Sequence, residues 1–266
     1  MNAIVFLGGG RITSALVAGL RLASYRKPIV VHDRNSGKLK TLKRQYGVVV
    51  EPDLRRGVDS ARLLIIAVRP ESVGELLKEI AKHPIRRPLT GVSLAAGFPL
   101  SNLRANLGPP VQWARAMPSP VCRSGHGLTA ITFDRGFPSG ARAEEVRTFF
   151  ALVGKVVEIP EKQFDAFTVT FSSSHGYQAL ATLVDAAESL GLDRKSARLA
   201  AAHALADGIA ACREGTSSLE ELLEEAATPG GTAAAVMNAL NDSGYRQTIA
   251  RGLRAGMKQA GRNAKL

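Results

Sequence analysis

Short apolar runs alternate with helical patterns through the first third of the chain. The apolar, mostly β-branched runs predict strands at Ala3–Leu7, Ile29–His32, Val48–Val50, Leu63–Val68 and Leu89–Leu94, with a further candidate at Val111–Ala114. Between them, helices are predicted from Ile12 onward, over Ser36–Tyr46, and over Ser72–Lys82 with Ser72 as the N-cap. Strands that alternate with helices indicate βαβ units around a parallel sheet with right-handed crossovers.

The pattern changes near residue 160, where β-branched runs give way to Ala, Leu and Glu at helical spacing. We therefore expect an α/β domain over residues 1–160 and an all-helical domain over residues 161–266. Two apolar helix faces are predicted, formed by Leu180, Val184, Ala187 and Leu190 and by Leu199, Ala202, Leu205 and Ile209. These faces exceed what one small helical domain can bury, so at least a homodimer is expected.

The charge of the chain is strongly positive. Its 266 residues include 35 Lys and Arg against 23 Asp and Glu, a net charge of +12. Such a surface could attract nucleic acid or an anionic ligand such as a dinucleotide. Aromatic side chains are not interleaved with the basic ones, and no helix-turn-helix or zinc-finger spacing is present. We therefore expect no nucleic-acid partner.

Two cysteines, Cys122 and Cys212, are too few for a disulfide scaffold or a four-cysteine zinc site. We expect no bound metal and a reducing, cytoplasmic compartment. No apolar run approaches the roughly 20 residues that span a bilayer. The chain opens directly into its first apolar strand, so no signal peptide is expected.

A glycine-rich turn lies between the first predicted strand and the first predicted helix. Gly8 and Gly10 permit a tight turn and let the backbone approach a pyrophosphate, which the N-terminus of the next helix would stabilise. Thr13 stands at the third glycine position and is small enough for close packing. We predict a Rossmann-type dinucleotide-binding domain in which Arg11 and Ile12 also contact the cofactor; an ordinary strand-to-helix turn is the alternative.

Two residues after the second predicted strand favour different cofactors. Asp33 would accept hydrogen bonds from the ribose hydroxyls and repel a 2′-phosphate, which favours NADH. Arg34, with Lys38 nearby, would attract that phosphate, which favours NADPH, unless its side chain simply faces water. Both Asp33 and Arg34 are predicted at the cofactor, and the choice between NADPH and NADH stays open.

Other loops follow predicted strands and are expected to line the same crevice. They are Ala67–Pro70, Ser93–Gly97 and Arg115–Pro120, and ordinary turn chemistry is the alternative for each. In the helical region, Thr228–Thr232 interrupts two predicted helices, and Pro229 suits the first turn of the second one. Open N–H groups in this turn could hold a carboxylate, although a simple connection between helices fits equally well.

In their order along the chain, these motifs resemble those of the pyrroline-5-carboxylate reductase family. The family's G-x-G-N-M-A, A-V-K-P, S-x-x-A-G, R-x-M-P-N-T-P and S-P-G-G-T-T correspond to Gly8–Thr13, Ala67–Pro70, Ser93–Gly97, Arg115–Val121 and Thr228–Ala233. The resemblance extends over nearly the whole chain. It implies a Rossmann-type domain, a helical dimerisation domain, and NAD(P)H-dependent reduction of a cyclic imino acid, most simply 1-pyrroline-5-carboxylate to proline.

The resemblance also implies roles for individual residues. Gly230, Gly231 and Thr232 would hold the substrate carboxylate, and the Thr232 hydroxyl would hydrogen-bond the imine nitrogen as the catalytic group. Ser173 and His175 would complete the substrate contacts. Further cofactor contacts are implied for Ala67, Val68, Arg69, Pro70, Ala95, Met117, Pro118 and Ser119.

The chain departs from the family pattern at several of these positions. Ser119 replaces an asparagine, Ser172 and Ser174 replace glycines, and His175 replaces a proline. His175 would be an acid or base near neutral pH, or else a histidine that is satisfied at a helix start. These departures leave two alternatives: an NAD(P)-dependent dehydrogenase of another small keto or hydroxy acid or imine, and a cofactor-binding protein without catalysis.

Overall fold

The computed structural model describes residues 3–215 and 217–266. Spatial contacts divide the chain into two compact units, the first comprising Met1–Thr170 with Gly256–Leu266 and the second comprising Phe171–Ala255. This division differs from a boundary at residue 160 because the helix Glu161–Thr170 and the end of the chain both belong to the first unit.

The first unit is built on one mixed sheet. Its strands are β1 (Ala3–Leu7), β2 (Ile29–His32), β3 (Val49–Val50), β4 (Ala61–Ile66), β5 (Leu89–Ser93), β6 (Val111–Pro118), β7 (Gly127–Phe133) and β8 (Gly154–Glu158). Their order is β3-β2-β1-β4-β5-β6-β7-β8, and all neighbours are parallel except β6 and β7. Leu7 lies between His32 of β2 and Ile66 of β4. The strand order therefore reverses between β1 and β4, where a crevice opens at the carboxyl ends of the strands.

Helices cover both faces of this sheet. They are α1 (Arg11–Leu22), α2 (Ser36–Tyr46), α3 (Leu54–Ser60), α4 (Pro70–Ala81), α5 (Leu100–Asn106), a 3₁₀ helix (Pro120–Ser124), α6 (Ala141–Ala151) and α7 (Glu161–Thr170). Successive strand residues point to opposite faces, so each strand contributes to two separate cores. In β1, Ile4 and Phe6 belong to one core, whereas Val5 and Leu7 belong to the other.

A buried arginine fastens α7 to the sheet. Arg115 of β6 is 1% exposed, and its guanidinium lies 2.5 Å from Asp165 and 3.7 Å from Glu161, both of α7. The same guanidinium lies 4.5 Å from the centre of the Phe164 ring. A buried charge needs partners of this kind because desolvation alone would destabilise it.

The second unit is helical. Its helices are α8 (Ser173–Ser189), α9 (Arg194–Glu214), α10 (Leu219–Ala226), α11 (Thr232–Asp242) and the first part of α12 (Tyr245–Asn263). Its buried core is small and consists of Val184, Ala197 and Ala201, with Leu180 and Ala187 packed beside them. Among the described residues, no helix is both long and apolar enough to cross a membrane.

The predicted apolar faces of α8 and α9 are only partly buried. Val184 is 7% exposed, but Leu190 caps the end of α8 and is 87% exposed. On α9, Leu199 and Ile209 are 63% and 55% exposed. Large apolar side chains on neighbouring helices that stay exposed in one copy are typical of a surface that a second copy covers.

Three local predictions are wrong. Helix α4 begins at Pro70 with Arg69 as the N-cap, because proline suits the first helical position; Ser72 is therefore not the N-cap. Strand β6 continues to Pro118 because it pairs with β7, so the segment after Ala114 is a strand and not a loop. Pro229 precedes α11, whose N-cap is Gly231, and so lies outside its first turn.

Candidate functional site

The turn between β1 and α1 brings the backbone against the end of β4. Gly8 has φ of +112°, and a Cβ atom there would lie 2.6 Å from the Ala67 carbonyl oxygen. The Gly8 N–H donates to the His32 carbonyl at 2.8 Å. The buried Thr13 hydroxyl donates to the Gly8 carbonyl at 2.6 Å and closes the turn. Only glycine fits position 8, as the sequence pattern requires.

The N-terminus of α1 is open. Gly10 is its N-cap, no side chain caps this end, and a Cβ on Gly10 would meet nothing within 4 Å. Arg11, the first helical residue, is exposed. The N–H groups of a first helical turn lack intrahelical acceptors, and the helix dipole adds positive charge. This arrangement fits an anion such as a pyrophosphate.

Asp33 ties the glycine turn to the loop after β2. Its Oδ2 accepts from the Gly9 N–H at 2.7 Å, and its Oδ1 accepts from the Asn35 N–H at 2.7 Å. Burial would raise the pKa of this carboxyl, but the N–H groups of Asn35 and Gly9, with the Lys38 ammonium, outweigh burial and lower the pKa. Asp33 is thus ionised at neutral pH, and an ionised carboxylate is the group that could accept hydrogen bonds from a ribose.

Arg34 is engaged by carboxylates of α4. Its Nη2 lies 3.1 Å from Glu79 and 3.4 Å from Glu75, and hydrogen bonding to Glu79 together with the charge of Glu75 raises its pKa. Lys38 lies 3.5 Å from Asp33. Both Arg34 and Lys38 are therefore paired with carboxylates.

A cavity of about 570 Å³ joins these features at the crevice between β1 and β4. This volume lies within the range of about 300–1,000 Å³ that is usual for ligand pockets. Its lining offers an uncapped helix N-terminus for phosphates and an ionised carboxylate for a ribose, so the residues present fit a nicotinamide dinucleotide. The lining residues are Leu7, Gly8, Gly10, Arg11, His32, Asp33, Arg34, Lys38, Ala67, Val68, Arg69, Ser72, Glu75 and Leu76.

Some predicted cofactor residues lie outside this cavity lining: Ile12, Pro70, Ala95, Met117, Pro118 and Ser119. Ile12 packs against the hydrophobic core, and Ala95 is 3% exposed. Ser119 extends the sheet, because its N–H donates to the Leu128 carbonyl at 2.9 Å and its hydroxyl accepts from the Leu128 N–H at 3.2 Å.

Sequence reasoning assigned no cofactor role to three lining residues of α4: Ser72, Glu75 and Leu76. The signal that could have found them is their position. Helix α4 starts directly after β4, so its first two turns must border the crevice at the end of that strand.

In the second unit, the turn Thr228–Thr232 leads into α11. Gly230 has φ of +76°, which favours glycine, and Gly231 is an extended N-cap without a side-chain cap. The Gly231 N–H donates to the Thr228 carbonyl at 2.9 Å, so it serves the turn itself. The N–H groups of the first turn of α11, beside the exposed Thr232, have no intrahelical acceptors and could donate to a carboxylate.

The start of α8 carries the departures from the family pattern. Ser172 is the N-cap, its hydroxyl lies 2.8 Å from that of Ser174, and its carbonyl accepts from the His175 N–H at 3.1 Å. Ser173 is half-buried and His175 is exposed. The serines thus organise the first turn of the helix, and the exposed His175 lies in that turn.

Within the described residues, no group of three His, Cys, Asp or Glu side chains could hold a metal ion. Both cysteines are free thiols. Cys122 is fully buried, and burial raises its pKa to about 11, which makes it a poor nucleophile.

Two family models match separate parts of the chain. One, described as pyrroline-5-carboxylate reductase dimerisation, matches residues 161–263. The other, described as NADP oxidoreductase coenzyme F420-dependent, matches residues 3–97. The second match covers the glycine turn and the cavity, and the first covers the helices with exposed apolar faces, which supports a homo-oligomer.

Full-length relatives agree with these matches. The pyrroline-5-carboxylate reductase of Mycobacterium leprae is 30% identical in an alignment of 273 positions that covers 94% of this chain and 92% of the relative. That of Thermus thermophilus is 32% identical in an alignment of 253 positions that covers 91% of each chain. The crystal structure of Plasmodium falciparum pyrroline carboxylate reductase with NADP bound has a TM-score of 0.88 at 19% identity and covers 99% of this chain and 98% of that one. The likeness to this structure concerns the fold alone.

Proposed function

This chain belongs to the pyrroline-5-carboxylate reductase family, and we propose that it reduces the cyclic imino acid 1-pyrroline-5-carboxylate to L-proline with NADPH or NADH. It is an NAD(P)-dependent oxidoreductase. The observation that carries the proposal is the cavity at the β1–β4 crevice, where one short turn supplies a position for glycine alone, an open helix N-terminus and Asp33. These are the groups that a dinucleotide requires.

In the cofactor site, Gly8 and Gly10 keep the backbone bare so that the pyrophosphate can approach the N-terminus of α1, where Arg11 adds a positive charge. Asp33 accepts from the ribose. When bound, the reduced nicotinamide supplies the hydride that the imine carbon accepts. The segment Ala67–Pro70 borders the phosphates, Ile12 supports the turn from the core side, and the nicotinamide end is assigned to Ala95, Met117, Pro118 and Ser119.

In the substrate site, the first turn of α11 donates N–H groups to the substrate carboxylate. Gly230 and Gly231 leave the approach to that turn free of side chains. The Thr232 hydroxyl oxygen accepts a hydrogen bond from the N–H of the protonated imine and orients the C=N bond. Because a protonated imine is already electrophilic, this reaction needs no strong enzymatic base. Ser173 and His175 complete the substrate contacts from the start of α8.

The assembly is proposed to be a homodimer or a higher homo-oligomer, supported by the exposed apolar faces of α8 and α9 and by the dimerisation-family match. The free thiols suit a reducing compartment, so we place the protein in the cytoplasm. The small imino acid is its proposed partner, and the basic surface serves to attract the dinucleotide rather than nucleic acid.

The test is the loss of absorbance of NADH or NADPH on mixing with 1-pyrroline-5-carboxylate. Turnover is expected, and Thr232→Ala should lower kcat/KM at least tenfold, about 1.4 kcal/mol of transition-state stabilisation. Thr41→Ala is the matched control, because Thr41 is exposed on α2 and donates only within that helix, to the Gly37 carbonyl. Cofactor binding without turnover would reject the proposed substrate, and an unchanged kcat/KM would remove Thr232 from the mechanism.

A further inference from the structure

Two glutamates of α4 lie beside Arg34 at the ribose end of the cavity, by which we mean the part lined by Asp33, Arg34 and Lys38. Glu75 lines the cavity, and Glu79 lies outside its lining. Glu75 and Glu79 are one helical turn apart, so they share a face of α4. Both contact the guanidinium of Arg34, which comes from the loop after β2. The contact joins elements that are distant in sequence, and it occupies the arginine that would otherwise be the partner of a 2′-phosphate.

Asp33 forms the floor of the same end. Its side chain is 12% exposed, and both of its oxygens are held by backbone N–H groups, those of Gly9 and Asn35. This carboxylate therefore cannot swing away from an approaching phosphate without breaking the link between the glycine turn and the loop after β2. Lys38 is already its partner at 3.5 Å.

The charges of this end can be counted from these contacts. Three carboxylates, those of Asp33, Glu75 and Glu79, face two cations, Arg34 and Lys38. A phosphate monoester carries about −1.5 to −2 charges at neutral pH. To bind Arg34 it would have to displace two carboxylates that then remain beside it. A ribose with a free 2′-hydroxyl meets no such repulsion, because it donates to Asp33.

We infer that this chain selects NADH over NADPH, and that Glu75 and Glu79 are the specificity-determining residues, because they hold Arg34 away from the 2′-phosphate. The inference rests on the proposed function, since it concerns the ribose end of the same cofactor site. At the end of β2, Asp33 favours NADH and Arg34 favours NADPH; the inference follows the indication of Asp33.

The test uses two small probes that differ only in the 2′-phosphate, 5′-AMP and adenosine 2′,5′-bisphosphate (2′,5′-ADP). Their dissociation constants are measured by calorimetry on the intact protein without substrate, and those of NADH and NADPH by fluorescence. The wild-type protein should bind 5′-AMP at least tenfold more tightly than 2′,5′-ADP. The double variant Glu75→Gln/Glu79→Gln should bind 2′,5′-ADP about tenfold more tightly than wild type, with 5′-AMP changed less than twofold.

Two further variants separate the mechanism from a general charge effect. Adding Arg34→Gln to the double variant should abolish the gain, because the gain depends on a released guanidinium. Asp59→Asn removes an exposed carboxylate of α3 that is paired with Arg55 and lies outside the cavity, and it should leave the ratio of the two probes unchanged. Every side chain that is substituted in these variants is substantially exposed, so the variants should fold.

Equal or tighter binding of 2′,5′-ADP by the wild type would overturn the inference, as would a double variant whose ratio of affinities stays at the wild-type value. A gain of the same size in Asp59→Asn would also overturn it. Failure of the proposed function is a separate result, in which neither NADH nor NADPH is oxidised in the presence of 1-pyrroline-5-carboxylate whatever the probes bind.

Discussion

Substituting Gly8 by alanine tests how the glycine turn is built. A methyl group at this position would lie 2.6 Å from the carbonyl oxygen and 2.7 Å from the carbonyl carbon of Ala67. Ala67 cannot retreat easily, because its N–H donates to the Leu7 carbonyl at 2.8 Å as part of the β1–β4 pairing. The backbone cannot rotate away either, since Gly8 must keep φ of +112° to direct its N–H to His32.

The expected loss of stability follows from these two effects. An alanine held at this positive φ is strained by about 1–3 kcal/mol, and overpacking against fixed backbone adds about 1–3 kcal/mol. Gly8→Ala should therefore lower the free energy of unfolding by about 2–6 kcal/mol, a large part of the roughly 5–15 kcal/mol that stabilises an ordinary domain. Urea unfolding followed by circular dichroism measures this loss as a lower midpoint.

Gly10→Ala is the matched control for the same turn. A Cβ there meets nothing within 4 Å, so the loss of stability should stay below about 1 kcal/mol, the cost of alanine at an N-cap. Dinucleotide affinity should nevertheless fall at least tenfold, because the methyl group would occupy the space that the pyrophosphate needs. Equal losses of stability in the two variants, or a Gly8→Ala variant as stable as the wild type, would refute this reasoning.

Two further predictions concern buried groups. Arg115→Met should lower the free energy of unfolding by about 2–4 kcal/mol, because Asp165 loses its partner while staying partly buried. The double variant with Asp165→Asn should lose less than the sum of the single losses in urea unfolding, and strict additivity would contradict the pairing. Burial raises the pKa of Cys122 from 9.0 to about 11, so stability should fall as the pH rises through this interval, because the unfolded chain releases the proton first. That part of the fall should disappear in Cys122→Ala, and an unchanged pH slope in this variant would contradict the assignment.

The fold class could be predicted from the sequence because local patterns sufficed for it. The alternation of apolar runs with helices predicts β1, β2, β4 and β5, and the helical spacing after residue 160 predicts the helical second part, which the structure and the family matches confirm. The antiparallel β7 and the edge strand β8 were not predicted. Strand β8 is only partly buried and carries Lys155 and Glu158, so its sequence lacks the continuous apolar run of the central strands.

The pairing of Arg115 could not be predicted from the sequence. Its motif suggests a loop near the cofactor, yet the guanidinium is buried and bound to α7, whose Asp165 lies 50 residues further along the chain. Periodicity reports which residues are apolar and share a face, but it contains no information about which distant carboxylate a buried cation will meet. That depends on how β6 and α7 pack.

The ribose end of the cavity is different, because its arrangement follows from topology once the strand order is known. Strands β2 and β4 lie on opposite sides of β1. The helix that follows β4 must therefore start near the loop that follows β2. The face of α4 that bears Glu75 and Glu79 then lies beside Arg34, and both glutamates compete for its guanidinium. An interpretation based only on the residues at the end of β2 does not include this competition for Arg34. Predicting the cofactor from sequence therefore requires Asp33 and Arg34 to be read together with positions 75 and 79.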